Sequence, residues 1–393
     1  MTFLPLRQQP QDDERSPHEH EHHNESFHFA IPLLESEEDG AACNTVPGEK
    51  HHPSVPQDTI DRFQNDGFVV FTEVISTDAV EALNDRLEDV LRGVYDRGRK
   101  PDKVPRLVKG HKPQPKGKLG EREATVLEPT TTTIPEAIGT QPTKSIKNNK
   151  NSKQSGGGSS CSIGPIGFSG NLQNVKVLQI INMHKADSLF RKLETNPSLA
   201  KVVSQLAQWD RYGGARLAQD QFWGKPPGAP PLVFHRDSPY FMFDPPEVVT
   251  VWIALDDMDE TLGPLEYVVG SHTWGDGRVG SANQFFQADT TKLLFSAAER
   301  EGIDDPINNL EFVGMGGLRR GGLSIHHGKI WHGSAKNSSK HQPRRGLGLH
   351  FVPASVRFTA EAFKSRLWKP YVTGVDDPST VELSEEDFPT TSY

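Results

Sequence analysis

The stretch Arg344-Arg345-Gly346-Leu347-Gly348-Leu349-His350-Phe351 restricts the fold more than any other part of the chain. Read as an extended strand with its period of two, it puts Arg344, Gly346, Gly348 and His350 on one face and Arg345, Leu347, Leu349 and Phe351 on the other. One face is bulky and apolar, and the other is nearly empty. An empty face carrying a single arginine suits the interior of a barrel that admits a small dicarboxylate, because guanidinium binds carboxylate through two parallel charge-assisted hydrogen bonds. The plainer reading is that the glycines mark a bulge or bend and that Arg344 lies on the surface.

A chain of 393 residues with only 34% hydrophobic content, 35 Gly and 30 Pro is expected to fold over part of its length. Residues 1–56 read as a disordered tail: they are polar, interrupted by proline, and carry His18, His20, His22 and His23 among acidic residues, a pattern of a solvated charged segment. Residues 57–99 hold a strand, Phe68 to Phe71, and a helix with Val80, Leu83, Leu87, Val90, Leu91 and Val94 on one face behind a cap at Ser76 or Thr77. Residues 100–174 alternate Lys and Pro, then run through Thr130 to Thr133 and Gly156-Gly157-Gly158-Ser159-Ser160. They read as a low-complexity, disordered insertion. Residues 175–393 hold the core: scaffold helices broken at Pro197, a proline-rich loop from Pro226 to Pro231, then strands at Val248 to Leu255, Leu265 to Val269, Leu323 to His326, Ile330 to Ser334 and Arg344 to Val352. A meander or jelly roll accounts for these strands.

The net charge of -9 and the lack of a basic stripe in the folded part argue against nucleic acid as a partner. Cys43 and Cys161 support neither a disulfide framework nor a thiolate metal site. No apolar run approaches the ~20 residues of a membrane span, and Met1 to Arg7 lacks a signal-peptide core. The protein therefore reads as soluble and intracellular, cytoplasmic rather than membrane-bound, with no clear peroxisomal signal. Its oligomeric state is not readable.

Chemistry concentrates at Phe234-His235-Arg236-Asp237-Ser238-Pro239-Tyr240. On an extended segment His235 and Asp237 leave the same face and can converge on one ion, two ligands of the 2-His-1-carboxylate set that non-haem Fe(II) oxygenases use. His326, His327, His332 and His341 are candidates for the third. Strand parity places His332 and Ser334 on one face with Trp331 on the other.

Together with Val251-Trp252-Ile253-Ala254-Leu255, Gly263-Pro264-Leu265, Gly270-Ser271-His272, His327 to Ser334 and Pro343-Arg344-Arg345, this motif resembles the phytanoyl-CoA dioxygenase family. The resemblance runs from about Gln57 to Val352 and leaves the low-complexity insertion unmatched. It implies a mainly β protein with flanking helices and a double-stranded β-helix (jelly-roll, cupin-like) core. It also implies Fe(II) as cofactor, with 2-oxoglutarate and O2 as cosubstrates. Carried over by position, His235, Asp237 and His332 would hold iron and Arg344 the distal carboxylate of 2-oxoglutarate. Ser334, Trp252, Gln221 and Lys225 would line the cosubstrate pocket. The spacing after His332 departs from the family pattern by one residue, which sets Arg345 against Arg344; parity favours Arg344. Relatives that halogenate replace the carboxylate by a small residue, so Asp237 favours hydroxylation.

The implied reaction hydroxylates a C–H bond of a small-molecule substrate, a fatty acyl or acyl-CoA compound being one option, and releases succinate and CO2. No segment reads as a CoA site, and Arg216, Arg236 and Arg278 are the arginines available to an anionic substrate. Two other readings remain open: a cupin-like protein that binds a small molecule without turnover, and a metal-dependent hydrolase with an activated water.

Overall fold

The computed structural model describes residues 29–34, 54–104, 177–275 and 289–390. The histidine-rich patch, most of the low-complexity insertion and Arg278 lie outside them.

Helix α1 (Gln57–Asp66) ends at Gly67, whose φ of 86° only glycine adopts freely, and the chain turns into strand β1 (Phe68–Phe71). Helix α2 (Thr77–Leu91) is capped by Ser76, which accepts from the Ala79 N–H at 3.3 Å, and buries Val80, Leu83, Leu87, Val90 and Leu91. Val94, expected to continue that face, lies beyond the helix and is exposed. Strand β2 (Leu178–Ile181) leads to α3 (Ser188–Glu194) and α4 (Pro197–Ala207), with Pro197 in the first turn of α4, where its missing N–H costs nothing.

The remaining strands are β3 (Ala215–Lys225), β4 (Leu232–His235), β5 (Phe243–Asp244), β6 (Val249–Ala254) and β7 (Leu265–Val268). Helices α5 (Lys292–Arg300) and α6 (Pro306–Asn309) follow. Strands β8 (Phe312–Gly314), β9 (Leu323–His327), β10 (His332–Ser334), β11 (Arg344–Pro353) and β12 (Arg357–Phe358) complete the set. The strand expected over Ile330 to Ser334 is confined to β10. The eleven residues of β3 fall in a stretch to which the sequence assigned no strand.

The strands form a jelly roll. A six-stranded antiparallel sheet, in the order β1-β9-β6-β11-β3-β2, faces a four-stranded sheet, β4-β10-β7-β8. In the larger sheet Val251, Ile253, Leu323, Ile325, Leu347, Leu349 and Phe351 point outward and pack with α2, α3 and α4 into the principal core. Each such side chain contributes about 1.5–3 kcal/mol on burial. The apolar side of β11 thus faces the helices and the glycine side faces inward, which leaves the barrel interior for polar groups.

Two pieces of the segments expected outside the core pack against it. Phe29, Ile31 and Leu33 are buried, with the Ile31 N–H donating to Val74 O at 2.9 Å, and Lys103 bridges Ile181. The C-terminal stretch adds a second apolar cluster of Phe243, Phe358, Trp368 and Phe388. Next to it Glu386 meets Arg97 at 2.7 Å and Asp387 meets Arg99 at 2.8 Å.

Candidate active site

The small sheet brings the two histidines together. His235 closes β4, His332 opens β10, and the two are direct partners in the ladder, with ring centroids 4.3 Å apart. His235 Nδ1 lies 2.9 Å from Val233 O, and His332 Nδ1 lies 3.1 Å from Ile330 O. A carbonyl only accepts, so each Nδ1 carries the proton and each Nε2 presents a lone pair. Burial lowers the pKa of both rings to about 4, so both are neutral at neutral pH.

Asp237 follows β4 and sets Oδ1 3.8 Å from His235 Nε2 and 3.7 Å from His332 Nε2. Burial alone would raise its pKa, but the imidazoles of His332, His326 and His350 outweigh that and hold it well below the usual carboxylate range. Two neutral imidazoles and one carboxylate, with ligand atoms within 4.8 Å of one another, fit a divalent cation of the non-haem iron type.

Of the other candidate third ligands, His326 donates through Nε2 to Asp237 Oδ2 at 3.2 Å. His327 faces away, against His272 and Phe63, and His341 is exposed.

A second group lies on the inner face of the large sheet. Arg344 on β11 is fully buried opposite its register partner Lys225 on β3. Lys225 donates to Ser334 Oγ at 3.1 Å and to Ala335 O. Arg344 Nη1 donates to Gly263 O at 3.3 Å, while its buried Nε has no hydrogen-bond partner among the described residues. Burial, together with the Arg344 charge, lowers the Lys225 pKa to about 6, and burial lowers that of Arg344 to about 10.

Trp252 explains why the strand needs glycine here. Its ring lies 5.7 Å from the Arg344 guanidinium, and a Cβ on Gly346 would stand 2.7 Å from the indole. At Gly348 an added Cβ would meet nothing closer than 3.6 Å. Arg345 takes the opposite face and pairs with Asp256, its Nε 3.1 Å from the carboxylate. Gln221 shares the inner face but bonds within a row of amides, accepting from Gln179 at 2.9 Å and donating to Gln219. Arg216 is engaged by Glu385 at 3.1 Å, and Arg236 donates to Gly275 O at 3.0 Å.

The structure also supplies groups around Asp237 that no motif flagged, Thr250 and Tyr267, and gives His326, a candidate ligand in the sequence, the place of a hydrogen-bond donor to Asp237. Period-two spacing was the available signal, since Thr250 stands two residues before Trp252.

A further buried trio, His184, Glu194 and Asp220, was missed entirely. His184 Nδ1 is 2.6 Å from Asp220 Oδ2, a hydrogen-bond distance and shorter than the ~3.3 Å that separates two ligand atoms held at ~2.0–2.1 Å around a tetrahedral ion. Asp220 also accepts from the Met183 N–H at 2.8 Å and the His184 N–H at 3.2 Å. Burial and the neighbouring Asp220 push the Glu194 pKa well above the usual carboxylate range, which favours its protonated form. The bonds to Asp220 fasten β3 to the 3-10 turn over Met183–Lys185 that precedes α3.

The phytanoyl-CoA dioxygenase (PhyH) family model matches residues 63–346. Phytanoyl-CoA dioxygenase 1 of Oryza sativa subsp. japonica is 28% identical over 198 residues, covering 47% of this chain and 62% of that protein. Phytanoyl-CoA dioxygenase domain-containing protein 1 of Mus musculus is 28% identical over 180 residues, covering 44% and 56%. These matches span less than two thirds of either relative's length. Among solved structures, the epimerase SnoN in complex with Fe3+, alpha ketoglutarate and nogalamycin RO shares the fold with a TM-score of 0.51 at 15% identity, covering 84% of this chain and 96% of that one. The alpha ketoglutarate dependent carbocyclase SnoK from nogalamycin biosynthesis gives 0.50 at 16%, covering 85% and 96%. With the family model covering most of the described residues, the chain belongs to the phytanoyl-CoA dioxygenase family.

Proposed function

We propose that the protein is an Fe(II)- and 2-oxoglutarate-dependent dioxygenase that hydroxylates a C–H bond of a small-molecule substrate and releases succinate and CO2. One observation carries the reading. The interior of the barrel holds a neutral His235–His332 pair with the Asp237 carboxylate, and also two buried basic side chains, Lys225 and Arg344, the latter with an Nε donor that has no partner among the described residues. A dicarboxylate satisfies both ends of this arrangement.

His235 and His332 offer Nε2 and Asp237 offers Oδ1 to the metal. Fe(II) held there supplies the redox and dioxygen chemistry, which the side chains of the protein lack. Arg344 grips the distal carboxylate of the cosubstrate, each hydrogen bond to that charged group contributing about 1.5–3 kcal/mol. Lys225 adds a second positive charge and, through its bond to Ser334 Oγ, orients that hydroxyl toward the same carboxylate. Trp252 walls the pocket beside the guanidinium and keeps water from it. Gln221, half-buried on the same inner face, lines the approach to the site.

The test uses purified protein with Fe(II) and 2-oxoglutarate, first without oxygen to look for a metal-to-cosubstrate charge-transfer band, then in air with a substrate panel. Fatty acyl and acyl-CoA compounds, suggested by the family name, head that panel. Appearance of the band, and succinate release coupled to a mass gain of one oxygen, are the expected results. Absence of both the band and succinate across the panel overturns the reading.

A further inference from the structure

We propose that Thr250 and His326 are positioning residues whose joint hold on Asp237 Oδ2 keeps this carboxylate a one-oxygen ligand and so preserves an open position on the metal. The inference rests on the iron-site reading above.

Asp237 uses its two oxygens differently. Oδ1 faces both ligand histidines, at 3.8 and 3.7 Å from their Nε2 atoms. Oδ2 faces the large sheet and accepts from Thr250 Oγ1 at 2.7 Å and from His326 Nε2 at 3.2 Å. Nothing in the covalent structure of an aspartate enforces this division, because its terminal torsion is broad and close to two-fold. Left alone, such a carboxylate can offer both oxygens to a cation.

The two donors are themselves fixed in direction. A carboxylate only accepts, so the Thr250 hydroxyl hydrogen is committed to Asp237, and Thr250 Oγ1 must accept from His350 Nδ1, 2.9 Å away. In the same way His326 donates from Nε2, which leaves its Nδ1 to accept from Tyr267 Oη at 3.0 Å. Tyr267 Oη in turn accepts from Ser324 Oγ at 2.8 Å. Every member of both chains is buried, so water does not compete for these bonds.

The fold makes this arrangement rigid. His326, Thr250 and His350 are register partners on β9, β6 and β11, a row across three adjacent strands directly beneath Asp237. The small sheet supplies the ligands and the large sheet holds the oxygen that must not become one. Oxygenases of this class need three open metal positions, two for the cosubstrate and one for dioxygen. A second aspartate oxygen on the metal would remove one of them.

The experiment loads the full-length chain with Mn(II) and counts exchangeable metal-bound waters by proton relaxation, alongside calorimetric 2-oxoglutarate binding to the Mn(II) form. The double variant Thr250→Val/His326→Leu is expected to show one fewer bound water than wild type and roughly tenfold or weaker 2-oxoglutarate binding, the scale typical of losing such outer partners. Thr250→Ser and His326→Gln, which keep a donor at each place, are expected to retain the wild-type water count. Thr250→Val is isosteric and carries the test alone where the double variant does not fold. A folded donor-less variant with the wild-type water number and affinity overturns the inference while leaving the iron-site reading intact. Failure of the wild type itself to bind Mn(II) overturns that reading, and the inference falls with it.

Discussion

Lys225 and Arg344 are direct partners across β3 and β11, both buried, and among the described residues neither stands within ion-pair distance of a carboxylate. A buried lysine beside a buried guanidinium is costly, charged or stripped of its proton, unless an anion joins them, and apolar replacement of such a group is often neutral or stabilising. Lys225→Met is therefore expected to raise the melting temperature of the ligand-free protein while weakening 2-oxoglutarate binding about tenfold. Thermal melts and calorimetry on the same variant check both halves, and a variant that loses stability without losing affinity contradicts the assignment of Lys225 to the anion site.

The same lysine gives a pH signature. Its pKa is lowered to about 6 in the folded protein, against ~10.4 for an unperturbed lysine. Between these values the unfolded chain binds more protons than the folded one, so stability of the ligand-free protein rises with pH across that window. An incoming carboxylate favours the charged form and raises the Lys225 pKa. Binding of 2-oxoglutarate at pH 7.5 is thus expected to take up protons, read as a dependence of the calorimetric enthalpy on buffer ionisation heat. Proton release, or no dependence, contradicts it.

Gly346 and Gly348 lie on the same inner face yet answer to different constraints. Gly346→Ala places a methyl 2.7 Å from the Trp252 indole, an overpacking expected to cost about 1–3 kcal/mol. Gly348→Ala meets nothing closer than 3.6 Å and is expected to melt within a degree or two of wild type while narrowing the pocket. Denaturation curves separate the two directly, and equal losses at both positions would show that Gly348 is a backbone requirement and not part of the pocket wall.

Much of the site was legible because two of its signals have a period of two. The His235 to Asp237 spacing and the alternation from Arg344 to Phe351 each state which side chains share a face. Arg345 pairs with Asp256 on the outer side, in line with that parity. Strand β3 was not legible for the opposite reason. It sets Gln219, Gln221 and Lys225 inward and buries Asp220 on the other side, so both of its faces carry polar groups and no apolar alternation marks it. Thr250 and His326 were invisible as partners of Asp237 because their relation to it exists only in the cross-strand register. Phe29, Ile31 and Leu33 did alternate, but their polar surroundings outweighed three apolar residues. The C-terminal cluster around Trp368 and Phe388 rests on short 3-10 turns with no periodicity to read.

The buried trio beside β3 separates a protonated carboxyl from a charged one. Burial and Asp220 favour the protonated form of Glu194, so the neutral isostere in Glu194→Gln is expected to change stability by less than about 1 kcal/mol. Asp220→Asn sets an amide against the three N–H groups of Met183 and His184 that the carboxylate accepts, and is expected to cost ~3 kcal/mol or more. Urea denaturation measures both, and a Glu194→Gln loss as large as that of Asp220→Asn would show that Glu194 is ionised.

The pairing of His235 with His332 has a consequence for how the molecule comes apart. These residues sit on strands that are neighbours in space but distant along the chain, with β5 to β9, α5 and α6 among the described residues between them. An ion bound to both ties off that long intervening loop in the manner of a removable staple, and closing a loop of such length restricts the disordered ensemble strongly. Metal loading then slows the opening of β4 from β10 more than it alters any local contact. Hydrogen exchange at those two strands, with and without metal, records the difference as a rate.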